Sequence, residues 1–296
     1  MLALVVPDSV DRPHLTYPPS NRDYFAAPYR HGPDTDYMVE RQLAAAYNER
    51  EIGRRQRTED FDARFEQFLS TIDQGNSVHW VAAIAVPNQP NARRSLSIAK
   101  ANAVIDHAVR SPICGNFGAL ELVESLTTKR GLRRFTRTGD RTLSKLATAR
   151  GHVEVHNDGA IAVAFTRHGY IRGEGGYQPN QVPIVDIEST ARDFLALLLA
   201  TRTGLGVSGD YTARLTVHPT TQLFRRSDYV LSGHFINWDE EHRVHGYRPV
   251  DGPIIGTASR DEVISSWVAV VTDAVNQAGV PCSLTADDLI TQLMAD

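Results

Sequence analysis

"HVEVHNDGAIAVAFTR", residues 152–167, is the stretch whose reading decides the fold class. Val153 and Val155 alternate with Glu154 and His156, Asn157-Asp158-Gly159 follows, and Ile161, Val163 and Phe165 alternate back. Period-two alternation on both sides of an Asn-Asp-Gly segment predicts an antiparallel β-hairpin. His152 and His156 then share one face of the first strand with Glu154, and that face is expected to meet solvent.

Working outward, VHWVAAIAVP (78–87) reads as a strand ended by Pro87, and SIAKANAVIDHAVR (97–110) as a helix. Downstream, Phe194, Leu195, Leu198 and Leu199 line one side of a helix from about Ser189 to Arg202. Tyr211 to His218 reads as a strand. A helix over about Arg260 to Ala278 buries Val263, Trp267, Val270, Val271 and Val275, and a short helix follows Thr285. Irregular alternation of strands and helices around an antiparallel hairpin predicts α+β rather than doubly wound α/β.

Towards the N-terminus the pattern changes. Leu2 to Val6 is a short apolar strand, and a second strand lies around Tyr24 to Tyr29. Arg30-His31-Gly32-Pro33-Asp34 has turn composition. Asp34, Thr35 or Asp36 is then placed to cap a helix. Leu43 and Tyr47 share a helical face, as do Phe61, Phe65, Phe68, Leu69 and Ile72, while residues 49–60 between them are mostly charged, with Gly53 as a weak point. Either one helix of about 36 residues, roughly 54 Å long, bridges two lobes, or two helices meet near Gly53. The expected organisation is a hairpin module over 1–50, a connecting helix over 51–74 and an α+β domain over 75–296.

Composition narrows the class of protein. Of the 296 residues, 42% are hydrophobic and 22% charged, near the globular average. The net charge of −4 argues against a chain that coats nucleic acid over its whole surface, and leaves room for a local basic site. Cys114 and Cys282 are the only cysteines; they form no disulfide framework and fit a reducing cytoplasm. The opening MLALVV is too short for a signal peptide or a membrane span.

Three motifs invite function. Gly204-Leu-Gly206-Val-Ser-Gly209 matches G-x-G-x-x-G, but a dinucleotide site needs a strand before it and a helix after it, and here the order is reversed. It reads as a helix end finished by glycine. His234, His242 and His245 stand among Asp239, Glu240 and Glu241 and are the candidate metal ligands. They lack an H-E-x-x-H arrangement, so a polar loop is the preferred reading, with Phe235, Trp238 and Tyr247 as an alternative contact surface. No catalytic residue follows from spacing, no P-loop is present, and no cofactor is named by the sequence.

The third is KRGLRRFTRTGDRTLSKLATAR, residues 129–150, with Lys129, Arg130, Arg133, Arg134, Arg137, Arg141, Lys145 and Arg150 against Asp140 alone. Clustered guanidiniums suit phosphate, and Phe135 is positioned by sequence to stack on a base. The bland reading is an exposed strand and loop whose arginines pair with acids elsewhere.

Val6, Pro7, Ser9, Pro13, Tyr24, Phe25, Arg30, Gly32 and Thr35 resemble the last two strands of the Schlafen-type divergent AlbA domain of bacterial ATP-binding and DNA-binding proteins. The resemblance covers residues 1–50 and implies a nucleic-acid-binding module closed by Arg30-His31-Gly32. It is a matter of order alone beyond that. The family's upstream half would precede Met1, so the acids credited with nuclease activity have no counterpart here. Together these readings lead to a cytoplasmic regulatory protein that binds nucleic acid or a nucleotide phosphate without catalysis. Arg30, Lys129, Arg130, Arg133, Arg134, Phe135, Arg137 and Arg141 are the expected contacts. The alternative is a protein-interaction scaffold, with a protein partner or a second copy on the long helix and the 235–247 loop. A metal-assisted hydrolase ranks last.

Overall fold

The computed structural model describes residues 12–17, 25–31, 34–72, 78–89, 95–114, 118–144, 146–171, 175–177, 181–207, 209–221, 223–225, 241–244 and 246–295. The chain divides into two compact units, Met1–Arg64 and Phe65–Asp296.

In the first unit, β1 (Pro28–His31) and β2 (Asp34–Tyr37) pair antiparallel, with Arg30 opposite Thr35 and His31 opposite Asp34. The turn composition of residues 30–34 therefore produces a hairpin. Asp34, Thr35 and Asp36 do not cap a helix: they belong to β2, because pairing with β1 occupies that backbone. Helix α1 begins at Glu40, where the Val39 N–H donates to Gln42 Oε1 at 3.0 Å. The strand expected at Leu2 to Val6 lies outside the described residues.

Helix α1 is one unbroken helix, Glu40–Ile72, of 33 residues. Gly53 costs a helix about 1 kcal/mol relative to alanine, too little to break a run of good helix formers. Arg55 and Glu51 support it at i,i+4, as do Gln56 and Asp60.

The second unit is built on an eight-stranded antiparallel sheet. It comprises β3 (Trp80–Pro87), β4 (Lys129–Arg130), β5 (Arg134–Ser144), β6 (Leu146–His156), β7 (Ile161–Ile171), β8 (Gly175–Tyr177), β10 (Tyr211–His218) and β13 (Val250–Ile254). The order is β13-β10-β3-β7-β6-β5-β4, with β8 on the far part of β7. A separate three-stranded sheet holds β9 (Gln181–Pro183), β11 (Leu223–Arg225) and β12 (Glu241–Arg243). The fold is α+β, and the hairpin read at residues 152–167 is β6–β7, registered Val153 to Val163 and Val155 to Ile161.

One face of the large sheet carries the core. Val81, Ala83 and Ala85 of β3, Val153 and Val155 of β6, Ile161, Val163 and Phe165 of β7, and Ala213, Leu215 and Val217 of β10 all turn to it. Over them lie α2 (Ile98–Val109), α3 (Ala119–Val123), α4 (Ile184–Leu205), α5 (Arg260–Asn276) and α6 (Ala286–Met294). Helix α4 is buried over most of its surface, and its central run, residues 194–200, is wholly apolar, as a central helix covered on several sides requires. It ends at Gly206 in the left-handed conformation, φ 60°, and β10 follows, so Gly204 and Gly206 close a helix where a dinucleotide site needs them to open one.

Helix α3 lies close on β5 and β6 because two glycines face each other there. Gly139 and Gly151 are register partners; a Cβ on Gly139 would sit 2.3 Å from Leu122 O, and one on Gly151 would sit 2.8 Å from Ala119 Cα. Gly151→Ala is expected to destabilise the fold by about 1–3 kcal/mol through overpacking against backbone, measured as a lower urea midpoint with an unchanged slope.

Candidate functional site

The opposite face of the same sheet holds the chemistry. β5 presents Arg134, Thr136, Thr138 and Asp140 on alternate positions, and β6 presents Arg150, His152, Glu154 and His156. Register places Arg134 opposite His156, Thr136 opposite Glu154, Thr138 opposite His152 and Asp140 opposite Arg150. The C-terminal end of α1 covers part of this face: Phe65, Phe68, Leu69 and Ile72 are buried, the Phe68 ring lies 6.1 Å from the His152 ring, and the Arg214 guanidinium stands 4.9 Å over Phe65. Beside that cover a cavity of about 350 Å³ remains open, lined by Trp80, Arg134, Thr136, Thr138, Arg150 and His152 together with Thr71, Ile72, Gly139 and Asp140. A volume of this order suits a small organic ligand.

Glu154 anchors the arrangement. Its residue exposure is 0%, yet its carboxylate has three partners among the described residues. His152 Nε2 lies 2.9 Å from Oε1 and His156 Nε2 2.8 Å from Oε2, while Arg134 Nη1 lies 3.0 Å from Oε1. Burial pushes the Glu154 carboxyl upward, but the hydrogen bonds and charge of His152 and His156 outweigh it and bring it down to about 2. The carboxylate is therefore ionised at neutral pH. On the far side of the ring, His152 Nδ1 meets Thr138 Oγ1 at 2.6 Å. Arg134 also reaches Thr71 Oγ1 at 3.4 Å. Arg150, by contrast, makes no ion pair or side-chain hydrogen bond in the described structure, although it lines the cavity.

The basic segment 129–150 is thus divided by the pleat. Arg134 and Arg150 face the cavity. Arg137 faces the helices, 4% exposed, held by Asp106 at 2.8 Å, Thr128 at 2.8 Å and Asn102 at 3.2 Å. Phe135, 2% exposed, belongs to the core. Neither residue is available to a phosphate or a base, which corrects the expectation for both. Arg141 pairs with Glu121 at 2.7 Å. Lys129, Arg130 and Arg133 are exposed, the last with φ 56°. Arg30 lies in β1 of the first unit, where its backbone alone is described. Lys145 lies outside the described residues.

A second correction concerns His152, Glu154 and His156. They were expected on the solvent face of the hairpin, but His152 is 5% exposed and Glu154 not at all, because α1 packs over that face. Thr136, Thr138 and Trp80 were not singled out by the sequence, and Asp140 only as the lone acid of the basic segment. The available signal was the alternation R-x-T-x-T-x-D at 134–140 matched against R-x-H-x-E-x-H at 150–156. It lacked a turn: β5 and β6 are separated by Lys145 alone, with no glycine, proline or asparagine to mark the reversal.

The candidate metal ligands His234 and His245 lie outside the described residues, as do Phe235 and Trp238, and His242 is described in β12 by its backbone alone. Tyr247 is buried, its ring 5.1 Å from Phe224, so it offers no exposed contact surface. Among the described residues no acid, histidine or cysteine cluster fits a metal ion, and no helix is long and apolar enough to cross a membrane.

A second buried carboxylate has the opposite tendency. Burial raises Asp186 to about 6 against the pull of Arg167, 2.6 Å away. The two acids therefore give opposing pH dependences. Glu154 contributes stability that is present above the ordinary carboxylate range and lost as pH falls towards 2, whereas Asp186 favours the fold below its ordinary value of 3.8 and costs stability as pH rises through 6. Glu154→Ala is expected to lower stability at pH 7 by about 1–3 kcal/mol, since it strands buried donors. It should also flatten the loss of stability between about pH 4.5 and pH 2 in urea titrations followed by circular dichroism.

No protein-family model, curated protein or solved structure matches this chain. The likeness to the Schlafen-type divergent AlbA domain therefore stands on the residues quoted for it and on nothing else.

Proposed function

We propose that the second unit binds a nucleotide through its phosphate in the cavity on the β5–β6 face. The observation that carries this reading is Arg150, a half-buried guanidinium on the cavity wall with no ion pair among the described residues. An arginine fork left unpaired beside hydroxyl groups is suited to a phosphate, which takes two parallel N–H bonds. Thr71, Thr136 and Thr138 supply the neighbouring hydroxyls, and Trp80 supplies an aromatic wall against which a base can lie. Arg134 adds positive charge at the same wall, although Glu154 beneath it takes up part of that charge. Asp140 is the acid on the lining and sets a limit on how much anionic charge the cavity accepts. Exposed Lys129, Arg130 and Arg133 extend the basic character of the segment around β4. The likeness of residues 1–50 to a nucleic-acid-binding domain points the same way.

Isothermal titration of the protein with ATP, AMP and inorganic pyrophosphate tests this reading at two salt concentrations. Binding that weakens with salt is expected, with Arg150→Ala lowering affinity roughly 10- to 100-fold, the worth of one charge-assisted hydrogen-bond pair. Arg150→Lys should recover only part of it, because an ammonium lacks the fork. No heat with any of the three, alongside binding of labelled single-stranded DNA, would move the reading to nucleic acid. Silence from both would remove it.

A further inference from the structure

The geometry points to a nucleophile triad in this cavity, with Thr138 Oγ1 as the attacking oxygen, His152 as its base and Glu154 as the carboxylate that holds the imidazole, acting on a carboxylic ester. The three groups form one line of contacts: Thr138 Oγ1 to His152 Nδ1 at 2.6 Å, and His152 Nε2 to Glu154 Oε1 at 2.9 Å. Hydroxyl, imidazole and carboxylate in this order are the working parts of acyl transfer on several unrelated scaffolds, recognised by geometry and not by sequence position.

The direction of the hydrogen bonds follows from Glu154. An ionised carboxylate only accepts, so His152 Nε2 must carry hydrogen and donate to it. A neutral His152 then has its lone pair on Nδ1, facing Thr138, and the threonine hydroxyl donates to it. His156 and Arg134 occupy the rest of the Glu154 carboxylate, so its position is fixed from the other side. The imidazole is buried while Thr138 is exposed and lines the cavity, so the base is held rigidly and the nucleophile is reachable. A purely structural histidine needs its ring satisfied; it does not need its hydroxyl partner on the wall of an open cavity.

The chemistry balances without a further reactant beyond water. Thr138 Oγ1 adds to the ester carbonyl carbon, forming a C–O bond, and its proton passes to His152 Nδ1. Arg150, on the same wall and without an ion pair among the described residues, is the cation available to the tetrahedral oxyanion. The intermediate collapses by breaking the bond to the alcohol oxygen, which leaves with the proton from His152, and an acyl ester on Thr138 remains. Water then adds to that ester, giving a proton to Nδ1; collapse returns the proton to Thr138 Oγ1 and releases the carboxylic acid. The sum is ester plus water to acid plus alcohol. That a preferred ester carries an anionic group matched to Arg150 rests on the phosphate reading given above; the triad itself does not.

The test is covalent capture. The full chain is treated with a fluorophosphonate probe and digested, and the modified residue is located by mass spectrometry; p-nitrophenyl acetate turnover is followed in parallel. An adduct on Thr138 is expected, absent in Thr138→Ala, present on residue 138 in Thr138→Ser, and formed roughly 100-fold more slowly in His152→Asn, the usual worth of a positioned general base. A folded wild-type protein with no adduct at Thr138, or an adduct that forms equally fast in His152→Asn, overturns the proposal. If His152→Asn does not fold by circular dichroism, the serine variant decides, since a hydroxyl at 138 without labelling also overturns it. Labelling and nucleotide titration are independent readouts, so loss of one reading leaves the other measurable.

Discussion

Glu154 is a carboxylate with no exposed surface, set on the face of a sheet opposite to the hydrophobic core. An ionised group in that position is tolerated only when donors surround it. The fold provides them from two strands: His152 and His156 lie two residues either side of it on β6, and Arg134 comes from β5. That requirement pins the β5–β6 register, since a slip of one residue would turn Arg134 towards the helices and bring Phe135 to the carboxylate. The same register then fixes where Thr138 meets His152 and where Arg150 faces the cavity.

The two faces of the sheet are stabilised differently. Beneath it, the aliphatic side chains of four strands pack against α2 to α6, and the Gly139–Gly151 pair lets α3 approach to backbone contact. Above it, the last two turns of α1 cover only part of the surface, with Phe68 against His152 and Phe65 under Arg214. The uncovered part is the cavity. Polar side chains are kept there because no helix lies over them, and the strand alternation that supplies the core on one side supplies hydroxyls and guanidiniums on the other.

Much of the architecture was legible in the sequence. The β6–β7 hairpin, the strand at 211–218 and the helices at 98–109 and 260–276 follow from periodicity and from Asn-Asp-Gly and serine punctuation, because those signals are local. The site was much less so. The segment 129–150 reads as a single basic cluster in one dimension, but the pleat sends Arg137 and Phe135 to the core and Arg134 to the cavity. Sequence proximity and spatial proximity diverge within six residues.

What the sequence by itself determined is which side chains alternate with which: His152, Glu154 and His156 on one face of one strand, and Thr136, Thr138 and Asp140 on one face of another. Only the tertiary structure decided that these two faces are the same face, because β5 ends at Ser144 and β6 begins at Leu146 with no glycine, proline or asparagine between them to announce a reversal. It also decided that the face is covered, since whether His152 and Glu154 meet water depends on Phe65, Phe68 and Ile72, some 80 residues away in the chain. Burial is a property of what packs on a residue, and a local pattern carries no record of it.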